Sequence, residues 1–256
     1  MRLATYLPQG DLSTLRYGIV ADIHSNLAAF EAVLGDMGTV DALWCLGDLV
    51  GYGPEPNECI ELLRRHQHLC VMGNHDAVAI GELDISAFNP SAAEAAQWTA
   101  RQLTERSIQF LSALPYDQTE GPFTLVHGSP RQPIWEYITH ESRAAANFGH
   151  FSTPACLVGH THAPALFELQ GPGDRVFGRV PGPGDKEVVG NARFIANPGS
   201  VGQPRDGDPC AAYAIYDSEE GTLEWRRVAY PIEVTQQKMR EAGLPARLIE
   251  RIEYGW

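Results

Sequence analysis

No stretch of this 256-residue chain approaches the ~20 consecutive apolar residues that a membrane-spanning helix needs. The first residues, 1–16, hold Pro8, Gly10 and Asp11 and lack the apolar core of a signal peptide. There is no Cys-x-x-Cys pair, which argues against a zinc ribbon or a thioredoxin-like redox motif. The five cysteines are an odd number, and Cys45, Cys70 and Cys156 lie in short apolar runs. Buried reduced thiols are therefore expected rather than disulfides. Basic residues are scarce: 19 Lys and Arg stand against 32 Asp and Glu, a formal charge of −13. That balance argues against an extended nucleic-acid surface, which needs clustered Lys and Arg. It leaves room for a small phosphorylated substrate, because a metal site brings its own positive charge. The expectation is a soluble, cytoplasmic protein with no membrane partner, of unspecified oligomeric state. A hydrophobic content of 44% supports a sizeable core, and nothing is collagen-like or low in complexity.

What is present is a repeated unit. Residues 16–21, 42–46 and 69–72 read as short apolar strands, and each runs into a polar motif: Asp22-Ile23-His24, Gly47-Asp48, and Gly73-Asn74-His75-Asp76. Helices follow the first two. Asn26 reads as an N-cap before Leu27, Phe30 and Leu34 at helical spacing, and residues 55–65 form a helix entered through Pro54 and Pro56. This strand–motif–helix alternation is that of a mostly parallel sheet. Strands at Phe123–Val126 and residues 155–158 repeat the arrangement, ending at His127-Gly128 and Gly159-His160-Thr161-His162. Ligands in open α/β sheets gather at that edge, so five strand ends deliver polar groups to one rim.

Residues 91–114 read as largely helical, with Trp98 and Leu103 facing a core. After His162, residues 166–170, 175–180, 192–195, 211–216 and Thr222–Val228 read as antiparallel strands, and residues 232–252 as two short helices broken at Gly243-Leu244-Pro245. Gly-Pro-Gly-Asp occurs twice, at 171–174 and 182–185, as turn chemistry. No linker forces a boundary, so residues 1–256 are expected to form one domain, with a Pro/Gly-rich hairpin insertion near 171–190 and a C-terminal helical segment near 231–256.

The rim carries Asp22, His24, Asp48, Asn74, His127, His160 and His162. This set offers nitrogen and oxygen donors only, with two carboxylates and no thiolate. It is the set that two metal ions need for attack of water on a phosphate ester. Each motif alone is weak, since Gly-Asp or His-Gly occurs by chance; five in order, each after a strand, are specific.

That series resembles the calcineurin-like metallophosphoesterases, and within them the small bacterial and archaeal phosphodiesterase branch. The resemblance runs from about Tyr17 to Val228 and includes Asn197-Pro198-Gly199-Ser200-Val201 followed by Pro204-Arg205. It implies a four-layer α/β/β/α sandwich of two packed mixed β-sheets flanked by helices. It further implies that Asp22, His24 and His162 hold one metal, that Asn74, His127 and His160 hold a second, and that Asp48 bridges them through its two oxygens. The two ions would be divalent transition metals: manganese first, with iron, zinc, nickel and cobalt as alternatives. Two dications less two carboxylates and one bridging hydroxide leave a charge of about +1, enough to hold a phosphate oxygen reversibly. His75 is then not needed as a ligand and is placed to assist the leaving oxygen; Asp76 is the neighbour that could orient it. Purple acid phosphatases use a tyrosine three residues after the bridging aspartate, whereas Tyr52 lies four after Asp48, so a tyrosinate-ligated iron site is not expected.

The pocket residues leave alternatives open. Tyr52 either lines the cleft or packs a turn. Arg205 either binds phosphate as a planar fork or pairs with Asp206 or Asp208. The loop from Ser129 to Trp135 is a substrate wall or only a rigid connection, and the 171–190 stretch is a lid, an oligomer contact or a plain hairpin. The leading expectation is an enzyme: a metal-dependent phosphodiesterase acting on small phosphate esters. The alternatives are a phosphomonoesterase acting on nucleotides or phosphoproteins, and a non-catalytic binding protein on the same fold.

Overall fold

The computed structural model describes residues 15–171 and 175–256. The amino-terminal stretch inspected for a leader, and most of the Gly-Pro-Gly-Asp turn at 171–174, lie outside those residues. The strands in chain order are β1 (Arg16–Val20), β2 (Ala42–Cys45), β3 (His68–Cys70), β4 (Asp117–Glu120), β5 (Phe123–Val126), β6 (Ala155–Leu157), β7 (Ala165–Gln170), β8 (Arg175–Arg179), β9 (Lys186–Val188), β10 (Arg193–Asn197), β11 (Ala211–Asp217) and β12 (Thr222–Val228). They form two six-stranded sheets, ordered β3-β2-β1-β11-β12-β9 and β4-β5-β6-β10-β7-β8. The helices are α1 (Leu27–Met37), α2 (Pro56–Arg64), α3 (Asn74–Ala79), α4 (Pro90–Gln102), α5 (Glu105–Leu111), α6 (Glu141–Ala145), α7 (Ile232–Glu241) and α8 (Ala246–Arg251). None is long and apolar enough to cross a membrane.

Strand periodicity builds the layers. Successive side chains on a strand point to opposite faces, and here both faces of the central strands are buried. Ile19, Trp44, Leu125, Leu157, Phe194 and Trp225 meet between the two sheets. Their neighbours Val20, Leu43 and Cys45 face the other way and pack with Phe30 and Val33 of α1 and Ile60 and Leu63 of α2. On the second sheet Val126, Cys156 and Ile195 turn outward to Ala144 of α6, Phe148 and Ile138. The result is the four-layer sandwich of two mixed sheets flanked by helices. Cys45, Cys59, Cys70 and Cys156 are buried and all five cysteines are unpaired, as expected for reduced thiols.

Trp44 and Trp225 are the largest fully buried side chains among the described residues, and the Trp44 ring stacks on Tyr17 at 4.4 Å and meets Phe123 edge-on at 5.4 Å. Trp44→Ala is expected to lower unfolding free energy by about 3–5 kcal/mol through lost burial and the cavity left between the sheets. Urea unfolding followed by far-UV circular dichroism checks this; a change below about 1 kcal/mol would place the stability elsewhere.

The antiparallel strands of the second half do not make a sheet of their own. β11 pairs with β1, extending the sheet that carries the first three motifs, while β10 pairs with β6, extending the sheet that carries the last two. The 171–190 stretch is likewise shared: β8 is the edge of one sheet and β9 the edge of the other. The helical run expected over 91–114 breaks at Leu103 (φ −58°, ψ 129°), after which Thr104 caps α5 by accepting the Ser107 N–H.

Candidate metal centre

Every polar motif leaves the C-terminal end of its strand, as the sequence predicts, but the rim is made by two sheets. β1, β2 and β3 carry Asp22, His24, Asp48, Asn74 and His75 from one side. β5 and β6 carry His127, His160 and His162 from the other. All eight side chains are buried. The backbone there is strained. Among the described residues the only non-glycine residues with positive φ are Asp22, His24, Ser25, Asp48, Tyr52, His160 and His162. Such conformations cost about 1–3 kcal/mol each and persist where surrounding contacts enforce them.

The side chains form two groups. The ligand atoms of Asp22, His24, Asp48 and His162 lie within 4.8 Å of one another, and so do those of Asp48, His127 and His160. Asn74 joins the second group, its Oδ1 3.0 Å from His127 Nε2. The groups meet at Asp48 Oδ2, which is 3.6 Å from His24 Nε2 and 3.3 Å from His127 Nε2. Asp48 Oδ1 is committed elsewhere, accepting the His75 N–H at 2.8 Å. Asp48 Oδ2 is the carboxylate oxygen that faces both groups. Glycine is required at position 73, where a Cβ would overlap the Asp48 backbone nitrogen and Oδ1.

Hydrogen bonds fix the tautomers. His24, His127 and His162 each donate Nδ1–H to a backbone carbonyl, of Val50 (3.2 Å), Leu46 (2.8 Å) and Gln203 (2.6 Å). Their Nε2 atoms are consequently the ones left to ligate, and they point inward. His127 Nε2 lies 3.0 Å from His160 Nδ1. His24 Nε2 and His162 Nε2 face each other at 3.0 Å, and two lone pairs at that distance repel unless a cation lies between them. Asp48 Oδ2 is buried with no hydrogen-bond donor. The donor set thus fits divalent metal ions.

Electrostatics agrees. Burial pulls the His24 and His162 imidazoles well below their ordinary pKa and His160 down to about 3, so all three stay neutral, the form that ligates. Burial also opposes ionisation of Asp48, but His127 and His75 outweigh it and hold the carboxyl well below the usual range. His127 is the counterpart. Burial pulls it down, yet Asp48 and Asp22 win and raise it to about 9. The Asp48 charge demands a cationic neighbour.

Supports missed from the sequence come largely from the Asn197–Ser200 segment. Asn197 Nδ2 donates to the Gly159 carbonyl and Thr161 Oγ1, holding the loop of His160 and His162. Ser200 Oγ donates to the Asp22 carbonyl. Asp76 does not orient the His75 ring: its two oxygens accept Val50 N–H and Gly73 N–H, both at 3.0 Å. The His75 ring is instead gripped by Tyr52, Phe88 and His24 at centroid distances of 4.3, 4.4 and 4.8 Å, with Nδ1 buried and unpartnered. Asn26 is the N-cap of α1, accepting the Ala29 N–H.

Arg205 is the cation of the rim. Its guanidinium donates to Gln203 Oε1 at 2.8 Å and reaches the Tyr52 hydroxyl at 3.4 Å. Asp206 and Asp208 pair with Arg227 instead. Arg205 and Thr161 line a cleft of about 580 Å³ whose far wall is Gly178, Arg179 and Val180 at the end of β8.

A family model described as the calcineurin-like phosphoesterase superfamily domain matches residues 15–221. An uncharacterised protein of Methanocaldococcus jannaschii is 36% identical over 245 residues, 93% of this chain and 97% of its own. The crystal structure of a metallophosphoesterase from Sphaerobacter thermophilus is 47% identical with a TM-score of 0.88, covering 95% of this chain and 100% of that one. A symmetrical bis(5′-nucleosyl)-tetraphosphatase of Neisseria meningitidis is 28% identical over 190 residues, 70% of this chain and 62% of the relative. The chain belongs to the calcineurin-like phosphoesterase superfamily, whose members are metal-dependent hydrolases of phosphate esters.

Proposed function

We propose that the protein is a phosphodiesterase of small substrates working through two divalent transition-metal ions, with manganese the first candidate. The observation that carries this reading is Asp48 Oδ2, one unpaired carboxylate oxygen facing the nitrogens of both histidine groups. Asp22, His24 and His162 would hold one ion and Asn74, His127 and His160 the other, with Asp48 shared. When bound, such a pair polarises phosphoryl oxygens and acidifies a water for in-line displacement.

The chain's own residues do the rest. The carbonyls of Val50, Leu46 and Gln203 hold Nδ1 of three imidazoles and leave each Nε2 to ligate. His75, neutral because burial lowers it to about 4, sits beside the cluster to serve the leaving oxygen. Arg205 offers a planar fork to a non-reacting phosphate oxygen, and the Tyr52 hydroxyl steadies that fork. The name of the Neisseria relative adds support for a nucleotide-like phosphate ester. Five unpaired cysteines favour the cytoplasm.

Chelation followed by add-back of Mn, Fe, Co, Ni or Zn tests this. The expected outcome is two ions per chain by elemental analysis, and turnover of bis(4-nitrophenyl) phosphate that exceeds turnover of 4-nitrophenyl phosphate. Binding of one ion or none, or a faster monoester rate, would overturn it. Arg205→Ala is expected to raise KM about 10–100-fold, the loss of a charge-assisted hydrogen-bond pair, with Arg205→Lys recovering only part. Steady-state kinetics checks this; an unchanged KM would remove Arg205 from the site.

A further inference from the structure

The loop after His127 contains a buried charge that the metal chemistry does not use. Glu136 is 4% exposed, between Trp135 at 38% and Tyr137 at 46%. Its carboxylate accepts from the Arg131 guanidinium through both nitrogens of the fork, from Arg143 Nη1 at 3.0 Å, Ser129 Oγ at 2.7 Å and Asn147 Nδ2 at 2.9 Å. Asn147 also accepts the Arg131 N–H, tying the same loop a second time. A carboxylate buried among so many donors is a costly way to gain stability. What it gives is a single geometry for the residues on either side.

Those residues are aromatic rings at the rim of the site. Tyr137 lies flat on the metal-group histidine His160, with centroids 3.9 Å apart and planes at 25°. With one face covered by His160 and 46% of the residue exposed, its other face is open. Trp135 meets Phe88 at 6.0 Å, and Phe88 packs on His75. Exposed rings held rigidly beside a phosphate site have one chemical use that exposed aliphatic groups lack: they stack on flat rings.

We infer that Tyr137 is a specificity-determining residue that stacks a planar ring of the substrate ester beside the metal centre, and that Glu136 is the positioning residue that holds it there. This rests on the reading of the site as a phosphoester site. The ring recognised is flat and aromatic, either a nucleobase or an aryl group.

Calorimetric binding to the manganese-loaded protein tests it with ligands matched for phosphate. Adenosine 5′-monophosphate is set against ribose 5-phosphate, which lacks the base, and phenyl phosphate against ethyl phosphate. The ring-bearing partner is expected to bind at least about tenfold tighter. A gain in both pairs identifies any flat ring; a gain in the first alone identifies the base. Tyr137→Ala is expected to remove most of the ratio and Tyr137→Phe to keep it, while Glu136→Gln narrows it by loosening the loop. Equal affinities in the wild type, a ratio retained by Tyr137→Ala, or an equal loss in Tyr137→Phe would each overturn the inference. A preserved binding ratio in a protein that hydrolyses no ester would instead fail the catalytic reading, so the two failures are separable.

Discussion

Asp48→Asn is expected to lower turnover by more than about 10³-fold and to lower the melting point of the metal-free protein. The two halves have one cause. Asp48 Oδ2 is the atom shared by both histidine groups, and Oδ1 is already spent on the His75 N–H. An asparagine keeps that second contact through its carbonyl oxygen but presents an amide where the shared oxygen stood. Loss of residues behind the ligands costs metal sites about 10–100-fold, so loss of the shared ligand itself is placed above that range. Stability moves the same way. In the metal-free protein Asp48 and His127 favour each other's charged form, which holds the carboxyl well below its usual range and raises the imidazole to about 9. A depressed carboxyl pKa contributes stability at neutral pH, and asparagine removes that charge from a buried pair. Elemental analysis, diester turnover and thermal melts in chelator check the three parts. Wild-type turnover in the variant, or an unchanged melting point in chelator, would contradict this account.

The place of these groups just past strand ends made them legible in the sequence. The seven candidate ligands and His75 could be placed because each must sit just past a strand, where a short loop fixes it, and short apolar strands ending in polar motifs are a local signal. Phe123–Val126 and Thr222–Val228 have the boundaries the sequence predicts, and the other motif-bearing strands agree to within a few residues. Pairing is non-local, and there the sequence is silent. Tyr17 lies opposite Tyr216 and Phe194 opposite Ala155, and no pattern along the chain says which of two sheets a strand will join. The edge strand Asp117–Glu120 escapes notice because it carries no apolar residue and half its positions are exposed. The left-handed backbone of Asp22, His24, Asp48, His160 and His162 is also hidden, since nothing in those residue types calls for it. Asp76 and Glu136 show the limit most clearly. Adjacency to His75 suggested a catalytic partner, yet Asp76 closes the turn at Gly73 and Val50. Glu136 carries no local signal, because Arg131, Arg143 and Asn147 gather around it only in the fold.

His75→Ala is expected to retain metal and lose about 10²–10³ in kcat on an ester with a poor leaving group, the range that one positioned hydrogen-bond donor to a developing charge supplies. Retention follows from geometry. The backbone N–H of residue 75, not its ring, donates to Asp48 Oδ1, and alanine keeps that donor. Loss of rate follows from the ring's setting. Tyr52, Phe88 and His24 hold it on three sides, and Gly51 stands so close that a Cβ there would lie 2.6 Å from His75 Nδ1. A ring so confined keeps one orientation beside the cluster, which is the condition for a hydrogen bond of fixed geometry to the leaving oxygen. The dependence on leaving group separates this role from a structural one. An activated 4-nitrophenolate needs little help in departing, so the variant's deficit should shrink on bis(4-nitrophenyl) phosphate and widen on an alkyl ester. A deficit equal on both esters with full metal content would assign His75 to binding or to the fold, and a lost ion would make it a ligand. Of the groups at the rim, His75 is the one whose substitution changes the chemistry without changing what the centre holds.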